Sequence, residues 1–141
     1  MKKTFVLLAA LVLTFAGGAA SAFAQDAMVK AHIPFDFTVS HTTLAAGDYT
    51  FAKLSENAWS IRNDGTGQAI AAVAAANGTN QDDNLGVVVF KQYGSAYFLS
   101  EVRCLGETAA VPASKAQRLM ERETALNGSK SGAISILASA R

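Results

Sequence analysis

Residues 31–51 read AHIPFDFTVSHTTLAAGDYTF, and the order of side chains in this stretch decides the fold class. From Val29 onward every second residue is apolar: Val29, Ala31, Ile33, Phe35, Phe37 and Val39 fall on one side, and Lys30, His32, Pro34, Asp36, Thr38 and Ser40 on the other. Successive side chains of a strand leave opposite faces, so this alternation predicts a half-buried β-strand. Pro34 lies on the polar side and has no N–H for a ladder, which places the strand at a sheet edge or puts a bulge in it. Residues 42–47 read as a connection, with Gly47 able to take positive φ without a Cβ penalty. Residues 48–54 form a second strand in which Tyr49 and Phe51 share a face.

The same grammar continues outward. Residues 59–62 predict a third strand, closed by NDGTG, a strong hairpin signal. Residues 68–76, QAIAAVAAA, favour helix on alanine propensity alone, but the segment is short and follows a hairpin turn, so a strand is expected. After the polar loop NGTNQDDN come strands over residues 85–92 and 97–105, joined at YGSA. A two-residue turn there sets Lys91 opposite Phe98 and Val88 opposite Glu101, mixing buried and polar types. A three-residue turn over residues 93–95 pairs Phe90 with Phe98 and Val88 with Ser100, and is the expected one. Cys104 then shares a face with Phe98 and Val102, while Val87, Val89, Tyr97 and Leu99 demand a cover on the other side.

Residues 114–126 supply the cover: Ser114 as N-cap with Gln117 three residues on, Pro112 before and Gly128 after, predict a helix whose apolar stripe is Ala116, Leu119 and Met120. A last strand over residues 133–138 returns to the sheet. The expected fold is mainly β: an antiparallel β-sandwich or partly open β-barrel of about seven strands, with one C-terminal helix packed on it.

The N-terminus has a different character. MKK is followed by an apolar run from Phe5 to Ala16 and by small residues ending in Ala22-Phe23-Ala24, the pattern of a secretory signal peptide over residues 1–24, cleaved after about Ala24. Gly17 and Gly18 interrupt the run and no basic cluster follows, which disfavours an uncleaved anchor, and no cysteine follows to take a lipid. Residues 25–141 are then a single β-rich domain. Loss of Lys2 and Lys3 takes the formal net charge from +1 to −1. The remaining cations are scattered, which excludes a nucleic-acid partner and membrane attachment after cleavage. A possible envelope component or a small ligand is left as partner. Cys104 is the single cysteine, so packing and not disulfides must hold the domain. Burial is its expected fate over a reactive thiol, since only the adjacent Arg103 accompanies it, and an intermolecular disulfide is left open.

No nucleophile elbow, phosphate-binding glycine loop, Cys-x-x-Cys or His-x-x-x-His pair is present, so no catalytic or metal residue and no cofactor is assigned. His32 and His41 with Asp36 or Asp48 are conceivable metal ligands, but His32 and Asp36 on one strand stand roughly 13 Å apart, and a solvated polar face is expected instead. Asn80, Asp82, Asp83 and Asn84 offer oxygen donors without the spacing of a calcium loop. Lys91, Tyr97, Glu101 and Arg103 form the tentative ligand patch: Glu101 and Arg103 share a strand face, Lys91 lies on the facing strand, and Tyr97 is one of several aromatics, with Tyr49, Phe51, Trp59 and Tyr93, able to line a concave face.

IPFDFTVSHTTLAAGDYTF, VFKQYGSAYFLSEV and SKAQRLMERE together resemble a family of small secreted bacterial proteins, frequent in acidobacteria, that carry I-P-F-x-F, L-P-A-G-x-Y and Y-G-x-x-Y-F-L-S-E motifs and a closing helix. The resemblance covers most of residues 25–141 and implies a secreted domain without an established activity. Two positions depart from it: Ala45 replaces the turn proline, leaving the turn less preset, and Arg103-Cys104 replaces an often aromatic position. LAAGDYTF is also similar to the L-x-x-G-x-Y turn of secreted β-sandwich modules, an analogy of fold alone. The expected function is non-enzymatic binding or a structural role at the cell envelope or outside it; the alternative is a carrier of a small apolar ligand in the barrel interior.

Overall fold

The computed structural model describes residues 27–79 and 85–140. The expected signal peptide and the oxygen donors Asn80, Asp82, Asp83 and Asn84 lie outside the described residues. Among the described residues the chain is mainly β with one helix, as expected, and its sheet is curled and open, a half-barrel.

The stretch read as one strand from Val29 is two. Strand β1 (Met28–Ile33) ends before Pro34, and β2 (Phe37–Val39) resumes after Asp36. Pro34 therefore breaks the strand, and the edge placement expected from it is wrong: β1 runs between two neighbours. The alternation still holds across the break, with Val29, Ile33, Phe37 and Val39 at 0 to 1% exposure. Residues 42–44, expected to be connection, form β3 (Thr42–Leu44), which pairs back on β2 through a two-residue turn. Strands β4 (Gly47–Ser55) and β5 (Ala58–Asn63) follow as a hairpin. Gly47 takes the expected positive φ, 158°, at the first residue of β4.

The alanine-rich segment is extended, as expected, but bent: β6 (Ala69–Val73) pairs with β5, and after Ala74 the chain continues as β7 (Ala75–Thr79). Strands β8 (Gly86–Tyr93) and β9 (Ala96–Cys104) form the long hairpin, and β10 (Glu107–Ala110), which sequence reading missed, pairs with both β9 and β7. The β9–β10 turn places Leu105 at φ 46° and Gly106 at φ 80°, the left-handed pair that a tight two-residue hairpin needs. After the helix, β11 (Ser131–Ala140) lies between β8 and β1. The hydrogen-bonded order is β3-β2-β9-β8-β11-β1-β4-β5-β6, with β10 on β9 and β7 on β10. All neighbours are antiparallel except β2 on β9. Because β6 pairs with β5 at one end of this order while β7, directly after it, pairs with β10 beside β9 near the other, the sheet must curl. Extra strands relative to the expected seven come from the break at Pro34, the bend at Ala74, and the short β3 and β10.

The β8–β9 register corrects the expected turn. Tyr93 pairs with Ala96 across a two-residue turn with Gly94 at φ 61°, and Lys91 does face Phe98. A bulge then adds Ser100 to β9, so that Val88 faces Val102 and not Ser100 or Glu101. One extra residue reverses which side chains point inward. Phe90, Leu99, Val102 and Cys104 join the interior cluster, whereas Phe98 is buried against Tyr93 outside it, with ring centroids 6.0 Å apart. Cys104 is buried as expected, but it does not share a face with Phe98.

Helix α1 (Lys115–Leu126) carries the expected cap: the Gln117 amide donates to Ser114 Oγ at 3.2 Å. At its other end the Ser129 amide donates to the Thr124 carbonyl with Gly128 at φ 62°, a Schellman-type stop. Its buried side is not the expected stripe. Leu119 is 51% and Met120 40% exposed, and Ala116 is exposed too, whereas Gln117 is buried. The helix reaches the sheet at β8, where Val89, Tyr93 and Phe98 form only a small outer apolar surface. Where β8 meets β11 and β1 the backbones crowd, and a Cβ on Gly86 would lie 3.1 Å from Val29 and 3.2 Å from the Ala138 carbonyl.

Candidate functional site

The bend between β6 and β7 leaves space at one end of the half-barrel. Alternation in β5 turns Trp59 inward, where it is 3% exposed and sits opposite Lys53 on β4 and Ala72 on β6. Beyond Ala74, β7 turns to pair with β10, Ala76 opposite Ala109. The small side chains on β7 do not fill the volume facing Trp59. The result is a recess of about 280 Å³ lined by Trp59, Ala76, Gly78, Ala109, Thr108 and three charged groups. Those groups are Lys53, Glu56 and Glu107.

Their geometry is that of a clamp across the barrel end. Lys53 Nζ donates to Glu107 Oε2 at 2.9 Å, joining β4 to β10, which are not hydrogen-bonded neighbours. It also lies 3.4 Å from Glu56 Oε1 in the β4–β5 turn. The hydrogen bond to Glu107, outweighing partial desolvation, holds the Lys53 ammonium above the usual lysine pKa. Cys104 stands opposite Glu107 across the β9–β10 turn, and its thiol donates to the Met28 carbonyl at 3.7 Å. Burial first, and the Glu107 charge second, push the Cys104 thiol up. The site therefore couples an apolar floor to a fixed ammonium and two carboxylates, with a protonated thiol nearby.

The residues nominated from sequence are distributed differently. Glu101 and Arg103 do meet, the guanidinium donating to Glu101 Oε2 at 2.9 and 3.2 Å. Lys91 faces Phe98 and borders a shallow depression with Tyr93, Glu121 and Ser131. Tyr97 lies on the interior side of the bulge, stacked on Phe35 at 4.0 Å between centroids, and its hydroxyl accepts from Gln92. The bulge at Ser100 separates Tyr97 from the Glu101–Arg103 pair.

His32 Nδ1 and Asp48 Oδ1 are 2.8 Å apart on the polar face, directly opposite in the β1–β4 ladder and largely exposed. Asp36 instead accepts from the Ala46 amide. Among the described residues no group of three or more His, Cys, Asp or Glu side chains is arranged to hold a metal. Trp59 was visible in the sequence as a candidate aromatic. Lys53 and Glu107 were not: they stand far apart in the chain, and only the curl of the sheet brings them together. The one signal available was the run of alanines and glycine in β6 and β7, which leaves volume opposite any large neighbour.

No family model matches the chain, and neither a curated protein nor a solved structure matches it.

Proposed function

We propose that this chain is a non-enzymatic, exported binding protein of the cell envelope or extracellular space, and that it holds its ligand in the recess over Trp59. The observation that supports this reading is the Lys53 ammonium clamped between Glu107 and Glu56 beside an apolar floor. An amine that holds its proton more firmly than usual is a poor nucleophile and a poor general base, but a good fixed charge. An apolar recess with a few placed polar groups orients a ligand.

The carrier alternative narrows to the same place. The barrel centre is occupied by Phe37, Tyr49, Phe51 and Phe90, all within 2% exposure, so an apolar guest finds room at the Trp59 end. Export rests on the signal-like residues 1–24, and kinship with the secreted bacterial family rests on the order of the shared motifs.

The test is mass spectrometry of the protein purified from its native host. The expected result is an N-terminus at Gln25 and a small molecule that is released on denaturation and lost in Ala76→Trp, which fills the recess. Turnover of an envelope substrate that disappears on changing one polar residue would overturn the reading.

A further inference from the structure

We infer that the recess selects a small monocation with an apolar, ring-sized body, an aryl- or alkyl-ammonium that sits against the edge of Trp59 and completes the charge balance of the Lys53 cluster. The inference rests on the recess being the binding site and adds the charge class and size of the ligand.

Charge carries the argument. One ammonium and two carboxylates line the recess, a surplus of one negative charge. A carboxylate offers about four acceptor positions, and a single lysine, reaching Glu107 at 2.9 Å and Glu56 at 3.4 Å, satisfies a fraction of them. An anionic ligand would have to take Lys53 from Glu107 and would meet the repulsion of both carboxylates. A neutral ligand gains no charge interaction with the carboxylates, which stay largely solvated at 85% and 56% exposure. A second cation instead gains charge-assisted hydrogen bonds to them.

The floor fits the same guest. Trp59 borders the recess with no more than an edge of its ring, at 3% exposure, and so supplies apolar contact to the guest. Ala76, Gly78 and Ala109 supply no long side chain to occupy the space. The volume, about 280 Å³, is near the lower limit of roughly 300–1,000 Å³ for small-molecule sites, which suits one ring or a short chain.

Trp59 is the single tryptophan in the chain, so its emission reads the recess directly. Three probes of matched body, 2-phenylethylammonium, 2-phenylethanol and phenylacetate, are titrated at low ionic strength. The expected result is saturable change with the ammonium at a Kd severalfold below that of the alcohol, with phenylacetate weakest and the preference fading as salt is added. Glu107→Gln erases the preference. Lys53→Met removes the competing cation and tightens ammonium binding severalfold, a gain that a merely structural role of Lys53 would not produce; circular dichroism checks that both variants fold. Equal or tighter binding of the alcohol or of phenylacetate overturns the charge class while leaving the recess as a site. No change in Trp59 emission with any probe at millimolar concentration overturns the recess as well.

Discussion

The hydroxyl of Tyr49 donates to the carbonyl oxygen of Ala45 at 2.6 Å, four residues back along the chain. From the other side of the same turn, the Ala46 amide donates to Asp36 Oδ1 at 2.9 Å. The two sequence motifs IPFDF and LAAGDY are thus parts of one device. It ties the break after β1 to the start of β4, and it does with hydrogen bonds what a proline at position 45 would do by restricting φ. Phe37 packs edge-on against Tyr49 with centroids 5.0 Å apart, so the device is also anchored in the core.

Tyr49→Phe keeps the ring and loses only the hydrogen bond. It is expected to lower stability by about 1 kcal/mol, and Asp36→Ala by a similar amount. Because both act on one turn, the double variant should deviate from additivity. Urea denaturation reads this as shifts in midpoint with unchanged slope.

Deleting Ser100 removes the bulge and forces Val102 and Cys104 toward the outer face. The deletion is expected to abolish cooperative folding, whereas Ser100→Ala, which keeps the count of residues, costs under about 1 kcal/mol. Near-ultraviolet circular dichroism and thermal melting separate the two. A deletion variant that melts like the parent would refute the register argument.

The Cys104 thiol is buried and its pKa is raised in the folded state. Above the ordinary thiol pKa of about 8.5 the unfolded chain loses this proton while the folded chain keeps it. Stability therefore falls as pH rises from that value toward the folded pKa. Cys104→Ala should flatten this part of the pH profile, at the cost of a small cavity. A thiol reagent at pH 8 should label the native protein no faster than it unfolds.

The Lys53–Glu107 clamp is partly exposed, so its value to stability is small, about 0.5 kcal/mol in a double-mutant cycle of Lys53→Met and Glu107→Gln. The lysine pKa is raised on folding, so this contribution is complete below the unfolded value of about 10.4 and disappears as pH rises through the folded value. Salt should weaken it. A coupling unchanged at alkaline pH would mean that the pair is held by packing and not by charge.

Helix α1 gives a reversed expectation for hydrophobic and polar positions. Leu119→Lys and Met120→Lys are expected to be nearly neutral, while Gln117→Glu, which places a charge where the helix is buried, should cost about 1–3 kcal/mol. Thermal melting of the three variants checks the orientation of the helix.

Strand identity was legible in the sequence because period-two alternation is enforced residue by residue wherever one face is buried. Val29 to Val39, Tyr49 with Phe51, and Trp59 with Ile61 all point inward as the alternation requires. The Ser114 cap was legible for the same reason, since its donor and acceptor lie within one turn. The orientation of α1 was not, because Leu119 and Met120 are apolar on a helix that has little apolar surface to cover. The bulge at Ser100 was not legible either, since a two-residue turn alone gave an implausible pairing and nothing local announces an inserted residue.

The sequence by itself determined that this chain is alternating, β-rich and without an internal disulfide, and which side chains of β1, β4 and β5 face inward. Only the tertiary structure decided that the sheet curls, that one bent alanine-rich segment pairs with β5 and with β10, and that Lys53, Trp59 and Glu107 meet. Alternation is a short-range constraint, set by the geometry of one strand against one core. The meeting of β4, β5, β7 and β10 depends on twist and register accumulated around the whole sheet, and no single segment of the chain encodes it.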